Sequence, residues 1–170
     1  MLSKEELESH ILSVPDFPKK GVVFKDISPL LSEKLPELIE TMAKNIKWDG
    51  IDAIVGIESR GFILGAAMAA KIGVGFIPMR KKGKLPPPVI AEDYILEYGT
   101  DSLELKINEQ AKNIVLVDDV LATGGTLKAA LLLCQKNNYN VKAVSLLINL
   151  KFLNELSQEL DYIHSVLDYE

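Results

Sequence analysis

From residue 52 onward the chain alternates short, almost continuous apolar runs with longer segments in which apolar residues recur every three or four positions. The runs at 53–57, 75–79, 114–117 and 141–150 have the pattern of strands covered on both faces of a parallel sheet. Between them, 61–72 and 126–136 are long enough to be crossover helices, so two βαβ units are expected. The region before residue 52 is organised differently. Ser3 and Glu6 have capping-box spacing and Leu7, Ile11 and Leu12 follow at helical intervals, which predicts a short amphipathic helix ended by Pro15. Residues 15–21, PDFPKKG, read as loop, and Val22, Val23 and Phe24 as a short extended piece. A second helix is expected from Ser32, with Pro36 early in it and Leu38, Ile39, Met42 and Ile46 along one face.

One stretch breaks the strand–helix rhythm. Residues 80–102 open with RKKGKLPPP and continue in a weak alternation, which predicts a long flexible loop leading into an antiparallel pair near 94–97 and 103–106. Long loops in compact proteins usually carry function. Residues 151–170 show little motif information and are expected to be scaffold. The length of 170 residues suits one domain, with 48% hydrophobic and 25% charged residues placing it among ordinary globular proteins.

Charge and cysteine usage narrow the function classes. A net charge of −5 argues against general binding to nucleic acid or to an anionic membrane, so any anion must be met by local design. The longest run of apolar and small residues, 62–70, falls well short of the roughly 20 residues a membrane-crossing helix needs. Residues 1–14 are acidic and carry no secretory pattern, so a cytoplasmic location is expected. Cys134 is the single cysteine, which excludes an internal disulfide, and His10 and His164 have no second ligand at metal spacing.

The most informative segment is 113–126, NIVLVDDVLATGGT. An apolar strand leads to two acids, a short spacer, and then Ala122, Thr123, Gly124, Gly125 and Thr126 opening a helix. Ligands of open α/β sheets bind at the carboxyl ends of strands. Two glycines let the backbone curl with its N–H groups inward, two hydroxyls add donors, and the helix N-terminus favours negative charge. This loop fits a phosphate. It is not a Walker loop: residues 56–61, GIESRG, have the two-glycine spacing but are followed by Phe62 and Ile63. The Rossmann pattern fails as well, at Pro78. Carboxylates beside a phosphate would repel it unless they face something else. A ribose diol resolves this, because ionised Asp118 and Asp119 are pure acceptors suited to two sugar hydroxyls. The same pair could hold Mg²⁺ through water or through those hydroxyls. The plainer alternative is a solvated strand end followed by a glycine-rich turn.

VLVDDVLATGGT resembles the phosphoribosyl pyrophosphate motif of the type I phosphoribosyltransferases. Four further segments match the family in consistent order: PDFPKKGVVFKDISPLL at 15–31, ESRGF at 58–62, RKKGKLP at 80–86 and LEYG at 96–99. Together they span most of the chain. The first and last of these four point to members that use adenine. The resemblance implies an α/β fold with a central, mostly parallel sheet flanked by helices, a small N-terminal hood at about 1–31 and a flexible active-site loop at about 80–102, all within one domain, 1–170. It also implies conversion of adenine and phosphoribosyl pyrophosphate to AMP and pyrophosphate, with Mg²⁺ as cofactor and a homodimer as the assembly.

Residue roles follow from the same resemblance. Ala122, Thr123, Gly124, Gly125 and Thr126 hold the 5-phosphate, and Asp118 and Asp119 the ribose hydroxyls. Ser59 and Arg60 meet the pyrophosphate, with Gly61 letting the helix start close to the anion. Of the basic run Arg80, Lys81, Lys82 and Lys84, the favoured pyrophosphate ligands are Arg80 and Lys84. Val23, Phe24 and Lys25 face adenine, Glu97 is the acid/base that exchanges a proton with the purine, and Tyr98 helps to close the site. The rivals are a family member for another base (hypoxanthine, guanine, xanthine or orotate) and a non-catalytic regulator that keeps the sugar-phosphate pocket. The chain shows no added helix-turn-helix or basic domain for reading DNA.

Overall fold

The computed structural model describes every residue except 97, 98, 108 and 109. It divides into two compact units, Met1–Lys44 and Asn45–Glu170.

In the first unit, α1 (Lys4–Ser9) carries the expected capping box: Glu6 N–H donates to Ser3 Oγ at 3.2 Å and Ser3 N–H to the Glu6 carboxylate at 2.8 Å. The helix stops sooner than expected. Leu12–Pro15 forms β1, paired antiparallel with β2 (Val23–Asp26), and Leu12 is exposed while Leu7 and Ile11 are buried. A helix this short has few internal hydrogen bonds, so pairing with β2 wins over the helical spacing. Phe17 and Phe24 meet edge-to-face at 5.2 Å. The second helix also differs from expectation, because the chain forms two helices, α2 (Ser28–Glu33) and α3 (Leu35–Ala43). Ser32 lies inside α2 rather than at a helix start. Pro36 lacks an N–H and its ring would clash with the carbonyl one turn earlier, so it ends one helix and sits in the first turn of the next. Leu38, Ile39 and Met42 are buried as expected, and Ile46 is buried beyond the end of α3.

The second unit is built on a seven-stranded sheet. Its strands are β3 (Ala53–Ile57), β4 (Gly75–Lys81), β5 (Val89–Leu96), β6 (Gly99–Lys106), β7 (Asn113–Leu121), β8 (Asn140–Leu150) and β9 (Ile163–Tyr169), in spatial order β5-β6-β4-β3-β7-β8-β9. From β4 to β9 all neighbours are parallel, while β6 is antiparallel to both β4 and β5. The mixed α/β architecture with a mostly parallel sheet is therefore as expected. Alternate residues of the central strands feed opposite faces. Ala53, Val55, Ile57, Ile114 and Leu116 join Leu127, Ala130, Leu133 and Cys134 of α5 (Gly125–Lys136) in one core. Helix α4 (Arg60–Ile72) buries Leu64, Met68 and Ala69.

Residues 80–102 depart most from the expected loop. Arg80 and Lys81 finish β4, and β5 and β6 form a hairpin in full register from Val89↔Lys106 to Leu96↔Gly99. Only residues 82–88 lack strand structure in this stretch, apart from those outside the described residues. Tyr94 is buried, and Lys81 Nζ donates to its hydroxyl and to Asp101, tying β4 to both hairpin strands. The other addition is β9, within the segment expected to be scaffold, which extends the parallel sheet beside β8. Among the described residues no helix is long and apolar enough to cross a membrane.

Candidate active site

The strand order creates a crevice. From β3 the chain passes through α4 to β4 on one side, whereas β7 passes through α5 to β8 on the other. Between two parallel neighbours whose connections diverge, the loops at their carboxyl ends splay apart, and ligands of open sheets bind there. Ser59 and Arg60 leave β3 at this point, and Asp118 and Asp119 lie on β7 just before the glycine loop.

Arg60 and Asp119 meet across the crevice, with Arg60 Nε 2.7 Å from Asp119 Oδ2. Asp119 is 6% exposed, so the pair is shielded on the carboxylate side. The contact is ionic, since Asp119 Oδ2 is buried with no hydrogen-bond partner among the described residues. Asp118 Oδ1 accepts the Asp119 N–H at 2.9 Å. Burial lifts the Asp118 carboxyl well above the ordinary aspartate range, and the charge of Asp119 adds to the shift. The approach of α4 to β7 requires a glycine. A Cβ on Gly61 would stand 2.8 Å from the Val117 carbonyl and 3.1 Å from Asp118 Oδ1. The Glu58–Ser59 peptide just before α4 is cis.

A carboxylate that the sequence reading left without a role organises the basic residues. Glu58 accepts from Lys84 Nζ at 2.9 Å, from Lys81 N–H at 3.0 Å and from Arg80 Nε at 3.2 Å. Arg80 and Lys84, both expected at the pyrophosphate, are thus gathered on one acceptor at the end of β3, and Arg80 also lies over the Phe62 ring at 5.7 Å. The only sequence signal was the position of Glu58 directly before Ser59 and Arg60.

Burial alone would raise the Glu58 carboxyl, but the hydrogen bonds from Lys84, Lys81 and Arg80 outweigh it and bring the carboxyl down to about 2 from 4.5. A carboxyl depressed on folding contributes stability that is complete above pH 4.5 and is lost as the pH falls toward 2. Because Lys84 is half exposed, about 1–2 kcal/mol is expected at neutral pH. Glu58→Gln should therefore lower Tm by about 3–6 °C at pH 7, with the difference from the parent closing between pH 4.5 and 2 in a melting series. A gap that stays constant across that range would show that the charge of Glu58 carries none of it.

On the other side of the crevice, Ala122, Thr123 and Gly124 connect β7 to α5, and Gly125 and Thr126 are the first residues of that helix. Gly124 takes the left-handed conformation at φ +89° and accepts the Lys128 N–H at 2.9 Å. No acidic residue lies in the first turn of α5, so the helix's own sequence adds no negative charge at its positive end. The hairpin reaches this loop. A Cβ on Gly125 would stand 2.8 Å from the Ile95 carbonyl, so β5 passes against the glycine loop just before Glu97. Glu97 and Tyr98 themselves lie outside the described residues. Val23, Phe24 and Lys25 belong to the first unit, where Val23, Phe24 and Lys25 lie on β2 and Lys25 Nζ donates to Ser13 Oγ at 2.9 Å. Among the described residues no group of three or more His, Cys, Asp or Glu side chains could hold a metal ion.

A glycine loop at a helix N-terminus, two acids just before it and an arginine at the facing helix start suit a class that handles phosphorylated ribose. The phosphoribosyl transferase domain family matches residues 27–163, which include every element of this crevice. The adenine phosphoribosyltransferase of Bdellovibrio bacteriovorus is 48% identical over 96% of this chain and 99% of its own length. Among solved structures, the adenine phosphoribosyltransferase of Thermoanaerobacter pseudethanolicus superposes with a TM-score of 0.91 at 41% identity, over 98% of this chain and 100% of that one. The Giardia lamblia enzyme, complexed with 9-deazaadenine, gives 0.89 at 35% identity over 100% and 99%. The chain belongs to the phosphoribosyltransferase family and, within it, to the adenine phosphoribosyltransferases.

Proposed function

We propose that this chain transfers the 5-phosphoribosyl group of phosphoribosyl pyrophosphate to N9 of adenine, giving AMP and pyrophosphate for purine salvage. The observation that carries the proposal is the Arg60–Asp119 pair at 2.7 Å, which joins the two sides of the crevice beside the glycine loop. In this reading Ala122, Thr123, Gly124, Gly125 and Thr126 hold the 5-phosphate with backbone N–H groups and hydroxyls. Asp118 and Asp119 accept hydrogen bonds from the ribose hydroxyls. Ser59, Arg60, Arg80 and Lys84 bind the pyrophosphate, the last two passing to it from Glu58.

The bond from ribose C1 to the pyrophosphate oxygen breaks while positive charge builds on the sugar ring. Adenine N9 then bonds to C1, and the proton displaced from the imidazole ring passes to Glu97. The cations stabilise the charge that develops on the leaving group, and the fixed loops hold the reactants in line. Tyr98 and the 82–88 segment close over the site. Closure excludes water and strengthens each ionic contact. The donor set fits Mg²⁺ carried by the substrate. Asp118 and Asp119 are hard oxygen donors, and Mg²⁺ bound mainly through substrate phosphates needs only one or two carboxylates. When bound, it would neutralise charge on the pyrophosphate. A cytoplasmic homodimer of one domain with an N-terminal hood is the setting that the family resemblance implies.

Steady-state assays with phosphoribosyl pyrophosphate and a panel of bases test the proposal. Adenine is expected to give AMP and pyrophosphate, with hypoxanthine, guanine, xanthine and orotate at least 100-fold poorer in kcat/KM, as expected when a hydrogen-bonding edge is mismatched. Faster turnover of another base would reassign the substrate. Tight binding of phosphoribosyl pyrophosphate with no pyrophosphate release from any base would point to a regulator instead.

A further inference from the structure

The segment after β8 reaches back to the glycine loop. Asn154 follows a single 3₁₀ turn (Lys151–Leu153), and its side-chain amide is the hub of a local network. Asn154 Nδ2 lies 2.9 Å from the Ala122 carbonyl, 3.0 Å from the Leu150 carbonyl and 3.2 Å from Asn149 Oδ1, while its Oδ1 accepts the Leu156 N–H at 3.1 Å. Asn149 is fully buried and donates in turn to Ser157 Oγ at 2.9 Å, so the hub is braced from below. Two residues on, buried Leu156 packs beneath the loop, and a Cβ on Gly124 would stand 2.6 Å from its Cδ1.

A trans peptide points its carbonyl and its N–H in opposite directions. The Ala122–Thr123 peptide is not among the cis bonds of the described residues, so holding the Ala122 carbonyl turns the Thr123 N–H to the opposite side of the loop. We infer that Asn154 is a positioning residue for the sugar 5-phosphate: by holding the Ala122 carbonyl it aims the Thr123 N–H at the bound anion, while Leu156 keeps Gly124 in place. This rests on the proposed reading of residues 122–126 as the phosphate loop. Asn154 never touches the ligand. Its contribution is pre-organisation, because a loop whose N–H groups already face the anion does not have to be ordered on binding.

Kinetics and ribose 5-phosphate binding to the full chain test this together. In Asn154→Ala the KM for phosphoribosyl pyrophosphate and the Kd for ribose 5-phosphate should each rise about fivefold, the scale of one lost hydrogen bond. The KM for adenine and kcat should change by less than that. Asn154→Asp keeps the acceptor for Leu156 and loses the donor, so it serves if the alanine variant does not fold; measured at high salt to screen its added charge, it should show the same rise. The parent protein is titrated with ribose 5-phosphate while its backbone amides are followed by NMR. If the amides of 122–126 shift but the folded variants bind ribose 5-phosphate as tightly as the parent, the role of Asn154 is overturned and the phosphate loop stands. Loss confined to kcat would overturn it equally. If those amides do not respond in the parent, the phosphate-loop reading falls, and this inference with it.

Discussion

Asp119→Asn is expected to lower kcat/KM for phosphoribosyl pyrophosphate by about 100-fold, with most of the loss in KM. Asp119 has two jobs that end together. Its carboxylate pairs with Arg60 at 2.7 Å from a position only 6% exposed, and in the proposed reading it also accepts from the ribose. Breaking a fully buried pair costs about 3–5 kcal/mol, but Arg60 retains 28% exposure, so about 2 kcal/mol is the fairer figure. The weakened sugar contact adds about 1 kcal/mol, which brings the total to about two powers of ten. A second readout is specific to the geometry. With the Asp119 charge gone, the Asp118 carboxyl keeps the effect of burial but loses the charge repulsion that adds to it, and should titrate lower, as followed by carboxyl NMR. A variant within twofold of the parent in kcat/KM would mean that neither Arg60 nor the ribose depends on Asp119.

Glu97→Gln should have the larger effect on turnover. Positioned acid/base groups contribute roughly 10²–10⁴-fold, so kcat is expected to fall by about that factor. Affinity for ribose 5-phosphate should change little, because the glutamine keeps the size of the side chain and the phosphate loop is untouched. Glu97 lies two residues after Ile95, whose carbonyl lies against Gly125, so β5 is held beside the glycine loop. The Lys81–Tyr94–Asp101 cluster fastens the same hairpin to β4. The pH dependence of kcat should also lose the limb that Glu97 sets. Unchanged turnover with adenine would remove the proton-transfer role and leave Glu97 as a binding residue.

The parts of this fold that the chain makes legible share one physical cause. Strand β3 has the bounds expected of it, 53–57, because a strand covered on both faces must be apolar throughout, and such a run stands out against its neighbours. The glycine loop and paired aspartates are equally plain, since a curled backbone and adjacent carboxylates are local properties of a few consecutive residues. The hairpin is less legible in the sequence. Ile95 is 80% exposed while the polar Ser102 and Glu104 are buried, so the usual alternation of faces is blurred. Strand β9 has only Ile163 and Leu167 buried, too weak a pattern to announce an added parallel strand. The early end of α1 and the break between α2 and α3 likewise depend on pairing and proline chemistry that spacing alone underestimates.

By itself, then, the sequence pointed to the class of ligand, a pentose phosphate, through a glycine loop and two acids at a strand end. Tertiary structure alone decided which charges face one another. Arg60 meets Asp119 because β3 and β7 are neighbours at the point where the connections diverge. Glu58 gathers Arg80 and Lys84 because β4 lies on the other side of β3, and Asn154 reaches Ala122 because the segment after β8 folds back on the glycine loop. Coulomb attraction and hydrogen bonding act over a few ångströms, and residues distant in the chain come that close only once strand order and register are set.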